Sequence, residues 1–243
     1  MGKKCCRRET FALIRLHILA EGQTEEAFIN NILAPELGAR NVFVDTHRIT
    51  TGRRHGRTFR GGLVNYEHIA RDLTLWMKQD QNDDSWFTTL FDFYGLPNNF
   101  PNYEAAKAIG SSLKAASHLE AEFAKDIQSR LKSVGVSQRF IPYVQLHEFE
   151  ALLFSHPPAF SSAFPEEKKA ITQLAAIKAT FSSPEEINDS PATAPSKRIL
   201  DLLPDYQKPV SGLLVAQEIG LAAIRRECPR FNDWLTRIQD LVG

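Results

Sequence analysis

The feature that most constrains the fold is an apolar stretch, residues 13–19, running directly into Ala20-Glu21-Gly22-Gln23-Thr24-Glu25-Glu26. It reads as a strand, a tight glycine turn and the start of a helix. Such a unit belongs to open α/β sheets, whose ligands bind outside the carboxyl ends of the strands. Glu21 then stands at a strand end, before the helix, and two more carboxylates occupy the first helical turn. Thr24 is the expected N-cap, and Glu25 and Glu26 suit the positive helix end. That capping role accounts for Glu25 and Glu26 but leaves Glu21 over. A hard divalent ion is the other reading, because carboxylates suit Mg²⁺ or Mn²⁺.

The rest of the chain repeats the alternation. Phe28, Ile29, Ile32 and Leu33 continue the first helix, which Pro35 is expected to end. Val42-Phe43-Val44 reads as a short strand, followed by a basic, glycine-rich loop over residues 51–62. Tyr66, Ile69, Ala70, Leu73, Trp76 and Met77 fall at helical spacing. Residues 86–91 are aromatic and β-branched, a strong strand signal that delivers Asp92 and then Gly95-Leu96-Pro97. A long helix is expected to bury Leu113, Ala116, Phe123, Ile127, Leu131 and Val134 and to stop at Gly135. Residues 140–146 read as a further strand, with Pro142 suggesting an edge. This strand leads into His147-Glu148-Phe149-Glu150 at an expected helix start.

Strands alternating with helices imply a mostly parallel, Rossmann-like sheet flanked by helices. The expected organisation is a disordered terminus over residues 1–10, an α/β core over 11–156 and a helical C-terminal region over 157–243 packed on that core. Within that region the polar stretch 182–196 reads as a loop, and Phe231, Trp234, Leu235 and Ile238 form one face of the last helix. Lys plus Arg equals Asp plus Glu at 29 each, so net charge selects no partner and only local clustering can. Three cysteines make no disulfide framework, which fits a reducing, cytoplasmic compartment. Arg15 and His17 interrupt what would otherwise pass for a signal peptide, and no apolar run is long enough to span a membrane.

In a parallel sheet the carboxyl ends of all strands lie on one edge, so Glu21, Asp92 and the Glu148–Glu150 segment can converge. Converging carboxylates raise each other's pKa unless a cation sits among them. One or two Mg²⁺ or Mn²⁺ ions there would suit phosphoryl chemistry. A helical His147–Glu150 segment puts His147 and Glu150 on one face. An extended one pairs Glu148 with Glu150 instead, and these two carboxylates are the preferred ligands. Arg53, Arg54, Arg57 and Arg60 are the best nucleic-acid contacts, since arginines on a glycine-rich backbone can follow phosphates without reading bases. An ordinary solvated loop is the competing reading. Lys197 could neutralise a phosphate, or could simply be an exposed basic residue at a helix start. No zinc signature, P-loop or dinucleotide fingerprint is present, so any ATP-driven step needs a partner.

Glu-Gly-x-Thr-Glu after the first strand, Asp-x-Tyr-Gly-Leu-Pro after a later one, and His-Glu-Phe-Glu-Ala-Leu-Leu-Phe-Ser together resemble a bacterial family of TOPRIM-like proteins known as DUF4276. Pro195-Ser196-Lys197-Arg198-Ile199, Tyr206-Gln207-Lys208, Gly220-Leu221 and Cys228-Pro229-x-Phe231-x-x-Trp234-Leu235 extend the resemblance over nearly the whole chain. It implies a TOPRIM-like fold and a Mg²⁺- or Mn²⁺-dependent nuclease acting on DNA or RNA. An ATPase partner in phage defence is implied by the same analogy. Glu21 matches the first TOPRIM motif and Asp92 the first aspartate of the second. Tyr94 stands where the second aspartate is expected, which removes one ligand and leaves Glu148 or Glu150 to replace it. The expected catalytic set is Glu21, Glu25, Asp92 and Lys197, and the expected metal set is Glu21, Asp92, Glu148 and Glu150. The rivals are a catalytically degraded TOPRIM-like binding subunit and a small-molecule phosphohydrolase.

Overall fold

The computed structural model describes residues 13–54, 57–60, 65–131, 134–188 and 193–242, with the backbone alone for 50–54, 57–60 and 134. The stretch expected to be disordered, residues 1–10, lies outside these. In chain order come β1 (Ile14–Ala20), α1 (Gln23–Phe28), a π-helical segment (Ile29–Leu33), α2 (Ala34–Gly38) and β2 (Val42–Arg48). Next are β3 (Thr50–Arg54), β4 (Arg57–Arg60), α3 (Tyr66–Gln79), β5 (Ser85–Asp92), α4 (Tyr103–Lys107), α5 (Ser112–Leu131) and α6 (Val134–Ser137). After β6 (Phe140–Ile141) and β7 (Val144–Gln145) come 3₁₀ turns Phe149–Ser155 and Pro157–Ser162 and α7 (Lys168–Ala179). The chain closes with α8 (Pro195–Leu202), a second π-helical segment (Lys208–Gly212), α9 (Leu213–Ile219), α10 (Leu221–Glu227) and α11 (Pro229–Gln239).

The main sheet runs β2-β1-β5-β6, with β7 also on β5, and every pairing in it is parallel. The architecture is therefore the α/β, Rossmann-like one that the alternation implies. Strand order reverses about β1: the chain moves to β2 on one side and later returns to β5 on the other. The carboxyl ends of β1 and β5 thus flank a topological switch point, where such sheets bind ligands.

Period-two alternation sends β1 side chains to opposite faces. Leu16, Ile18 and Ala20 join a core containing Phe28, Phe149, Leu174, Ile199, Val215, Phe231 and Trp234. Leu19 instead joins Phe87 and Phe91 with Leu73 and Met77 of α3 and Phe123 and Ile127 of α5. The C-terminal helices therefore cover one face of the sheet, and α3 with α5 covers the other. Arg15 and His17, the polar interruptions of β1, are held at the opposite edge: Arg15 donates to Asp80 and Asp84, and His17 Nε2 lies 3.0 Å from Asp80 Oδ2.

Several local expectations are corrected. The first helix starts at Gln23 with Gly22 as N-cap and no side-chain cap bond, so Thr24 lies inside it. Pro35 does not end the helical run. The wider π turn of Ile29–Leu33 precedes it, and Pro35 enters the first turn of α2, where its missing N–H breaks no α-type bond. The basic segment is not a simple loop, because β3 and β4 pair antiparallel. Gly135 lies within α6 and does not terminate α5. Leu113, expected in the core, is 53% exposed at the start of α5. Pro195 and Ser196 open α8 instead of closing a loop.

The expected strand over 140–146 is split at Pro142, which cannot donate to the ladder. Threonines of β5 bridge the break. Thr88 Oγ1 donates to Ile141 O, while the backbone N–H of Tyr143 donates to Thr89 Oγ1 at 2.9 Å. Trp234 Nε1 also donates to Thr88 Oγ1 at 2.9 Å, fastening α11 to the sheet. Thr88→Val keeps the shape but leaves the buried Trp234 indole N–H without its acceptor and removes the hydroxyl bond to Ile141 O. It is expected to cost about 2 kcal/mol in denaturant unfolding.

Candidate metal centre at the sheet edge

Glu21 follows β1, and its carboxylate turns back over β5, accepting from the backbone N–H of Asp92 at 3.1 Å. Asp92 ends β5 and is buried. Glu25 lies one helical turn after Glu21 and is also buried. Glycines make room for both side chains. A Cβ at Gly95 would lie 2.5 Å from each carboxylate oxygen of Glu21, and one at Gly22 would lie 3.0 Å from Glu25 Oε2. Glu26 faces elsewhere and pairs with Arg48 at 2.8 Å.

The acidic segment after β7 takes a third course beside the two weighed above. His147 adopts a left-handed φ of 64° and Glu148 is extended, so the 3₁₀ turn begins only at Phe149. That kink sends Glu148 and Glu150 toward the Glu21–Asp92 edge. His147 is turned against Asn188, with Nδ1 3.1 Å from Asn188 Nδ2. Burial holds the His147 imidazole down at about 4, so it is neutral at pH 7. Glu148 Oε2 accepts from the backbone N–H of Ser196 at 2.9 Å. Glu150 is fully buried.

These five carboxyl groups act on one another electrostatically. Burial, then the charge of Glu25, pushes Glu21 up to about 7, and Glu148 adds to the rise. Burial raises Glu25 as well. Asp92 is raised well above the usual range by burial and by Glu21, Glu25 and Glu150. Glu150 is pushed up to about 7, mainly by burial. One ammonium opposes these shifts. Lys208 Nζ lies 3.0 Å from both oxygens of Glu150, and its charge also lowers Glu21, Glu25 and Asp92. Tyr206 is buried beside Glu150, whose charge adds to the burial that raises the phenol. A Cβ at Gly212 would sit 2.7 Å from its hydroxyl.

The donor set suits a hard divalent ion, being all carboxylate with two buried oxygens, Asp92 Oδ1 and Glu150 Oε1, that accept no hydrogen bond among the described residues. The same residues hold no three His, Cys, Asp or Glu groups already drawn around a common point. The carboxylates converge, with Lys208 among them, short of ligation geometry.

Lys197 and Tyr94 supply no carboxylate to this cluster. Lys197 is exposed on α8, next to the Ser196 that binds Glu148. Arg53, Arg54, Arg57 and Arg60 lie on β3 and β4, and their side chains are outside the described set. Tyr94 is 38% exposed, its ring 5.3 Å from that of His147, and it supplies no carboxylate. Lys208 and Tyr206 carried no assigned role in the sequence reading. Their one signal was the Tyr-Gln-Lys segment among the shared family motifs.

The fold and this edge define a parallel α/β protein with a buried carboxylate cluster at its switch point. The chain belongs to a family described as a domain of unknown function, DUF4276, whose model matches residues 20–239. That span includes every residue of the cluster. No curated protein and no solved structure matches the chain. Among the described residues no helix is long and apolar enough to cross a membrane.

Proposed function

We propose that this chain is a TOPRIM-like, Mg²⁺- or Mn²⁺-dependent nuclease that cleaves nucleic-acid phosphodiesters at the carboxyl edge of its sheet. The observation that carries the reading is the convergence of Glu21, Glu25, Asp92, Glu148 and Glu150, with Asp92 Oδ1 buried and unpartnered. Burying that many acids is costly for a fold unless they serve a cation.

Glu21, Asp92 and Glu150 would hold the ion, with Glu148 beside them. A bound divalent ion supplies Lewis-acid polarisation of a phosphoryl oxygen. The protein's own groups do the rest. The Asp92 N–H fixes the Glu21 carboxylate, and Gly95 leaves space for it. Glu25, whose carboxyl burial raises above its ordinary value, would be the proton acceptor. Lys197 and the arginines of β3 and β4 would meet backbone phosphates.

The test incubates the protein with plasmid, single-stranded DNA and RNA, in Mn²⁺ and in EDTA, beside Glu21→Gln. Cleavage is expected only for the wild type in Mn²⁺. Activity that survives EDTA or the substitution would sink this mechanism. Tyr94 in place of a second acidic ligand supports one rival, a binding subunit with a degraded metal site. Calorimetry showing nucleic-acid binding with no divalent-ion binding would select that rival.

A further inference from the structure

Glu21, Asp92, Glu148 and Glu150 come from three separate segments of the chain, and a fourth segment supplies a positive charge to them. We propose that Lys208 is the resident cation of this cluster, its ammonium taking the place of a divalent ion that must displace it to bind. The inference rests on reading the cluster as a divalent-ion site.

Position argues for it first. Lys208 Nζ sits 3.0 Å from both oxygens of Glu150, the innermost carboxylate. An ordinary surface ion pair would affect its partner alone. Here the lysine's charge also bears on Glu21, Glu25 and Asp92, so it acts on the cluster as a whole.

Geometry argues second. Among the described residues no three of these carboxylates are gathered around one point. Lysine brings one charge and three donors, and Asp92 Oδ1 is left without a partner. A doubly charged ion would draw in more oxygens.

The route of exit argues third. Lys208 opens the π-helical segment Lys208–Gly212 and is flanked by exposed residues, Gln207 and Pro209. Its side chain is 43% exposed, whereas that of Glu150 is 1% exposed. A flexible stem with one end in solvent lets the ammonium leave without moving the backbone.

The experiment is calorimetric titration of Mn²⁺ into the full chain at pH 8, comparing wild type, Lys208→Met and Lys208→Arg. Removing the competitor is expected to tighten Mn²⁺ binding about tenfold or more in Lys208→Met. Arginine can hold Glu150 with two donors and should weaken binding about tenfold. In EDTA the Met variant should also melt at lower temperature than wild type, and saturating Mn²⁺ should close that gap. Equal or weaker binding by Lys208→Met overturns the inference while leaving the metal site standing. Should that variant not fold, Lys208→Arg decides, and wild-type affinity there overturns the inference. No binding by any of the three overturns both the divalent-ion reading and this one.

Discussion

Gly95→Ala is expected to lower Mn²⁺-dependent cleavage and Mn²⁺ affinity by about 10²-fold or more, with little loss of stability. An alanine Cβ would lie 2.5 Å from both oxygens of the Glu21 carboxylate, closer than real contacts allow. The carboxylate is the free end of a flexible side chain, so it would swing aside and the backbone would stay. What it gives up is its hydrogen bond from Asp92 N–H, about 1 kcal/mol. What function gives up is larger, because an ångström of misplacement at a reacting centre costs on the order of 10²-fold. Gly38→Ala is the control. Nothing lies within 4 Å of a Cβ there, and it sits in the last turn of α2. That substitution should be neutral or stabilise by up to about 1 kcal/mol. Cleavage assays, calorimetry and thermal melts on both variants check the prediction. Full activity in Gly95→Ala would remove Glu21 from the site.

The second large effect is on the pH dependence of stability without metal. Glu21 and Glu150 sit at about 7 in the folded protein against 4.5 ordinarily. Between these values the folded state holds more protons than the unfolded one, so stability falls as pH rises through the window. It is flat, as far as these groups are concerned, below about 4.5 and above about 7. Glu25 and Asp92 are raised too and act in the same direction. His147 opposes them, because its folded value of about 4 lies below the ordinary 6.5. One imidazole against four carboxyls leaves a net fall, on the order of a few kcal/mol between pH 4.5 and 8. Divalent ions bind the deprotonated carboxylates, so stabilisation by Mn²⁺ should be small at pH 5 and large at pH 8. At a hundred times its dissociation constant an ion contributes about 2.7 kcal/mol. Melts at both pH values, with Mn²⁺ and with EDTA, measure this. A Mn²⁺ shift independent of pH would contradict it.

Much of this frame was legible in the chain. Leu16, Ile18 and Ala20 alternate with His17 and Leu19 in a run too apolar for an exposed strand, and Glu21 and Asp92 fall where such strands must end. The helix faces of Tyr66–Met77 and Phe231–Ile238 follow directly from their spacing. The segment after β7 was harder, because its direction depends on a positive φ at His147, and histidine does not announce that conformation. Pro35 and Gly135 misled for a related reason. A π turn has no sequence signature, and a short helix tolerates glycine when packing holds it. Lys208 was beyond local reading altogether. It lies 58 residues from Glu150 and reaches it only through the docking of the C-terminal helices.

That docking bears on how the protein can be taken apart. β1, α1 and the turn Phe149–Ser155 share one core with α7 to α11. The same C-terminal half supplies Ser196 to Glu148 and Lys208 to Glu150. A gene fragment ending near residue 156 would strip apolar cover from one side of the sheet and leave its inner acids without their counter-charge. Shortened expression clones of this protein should therefore keep the chain through α11, however self-contained the strand-rich half looks on paper.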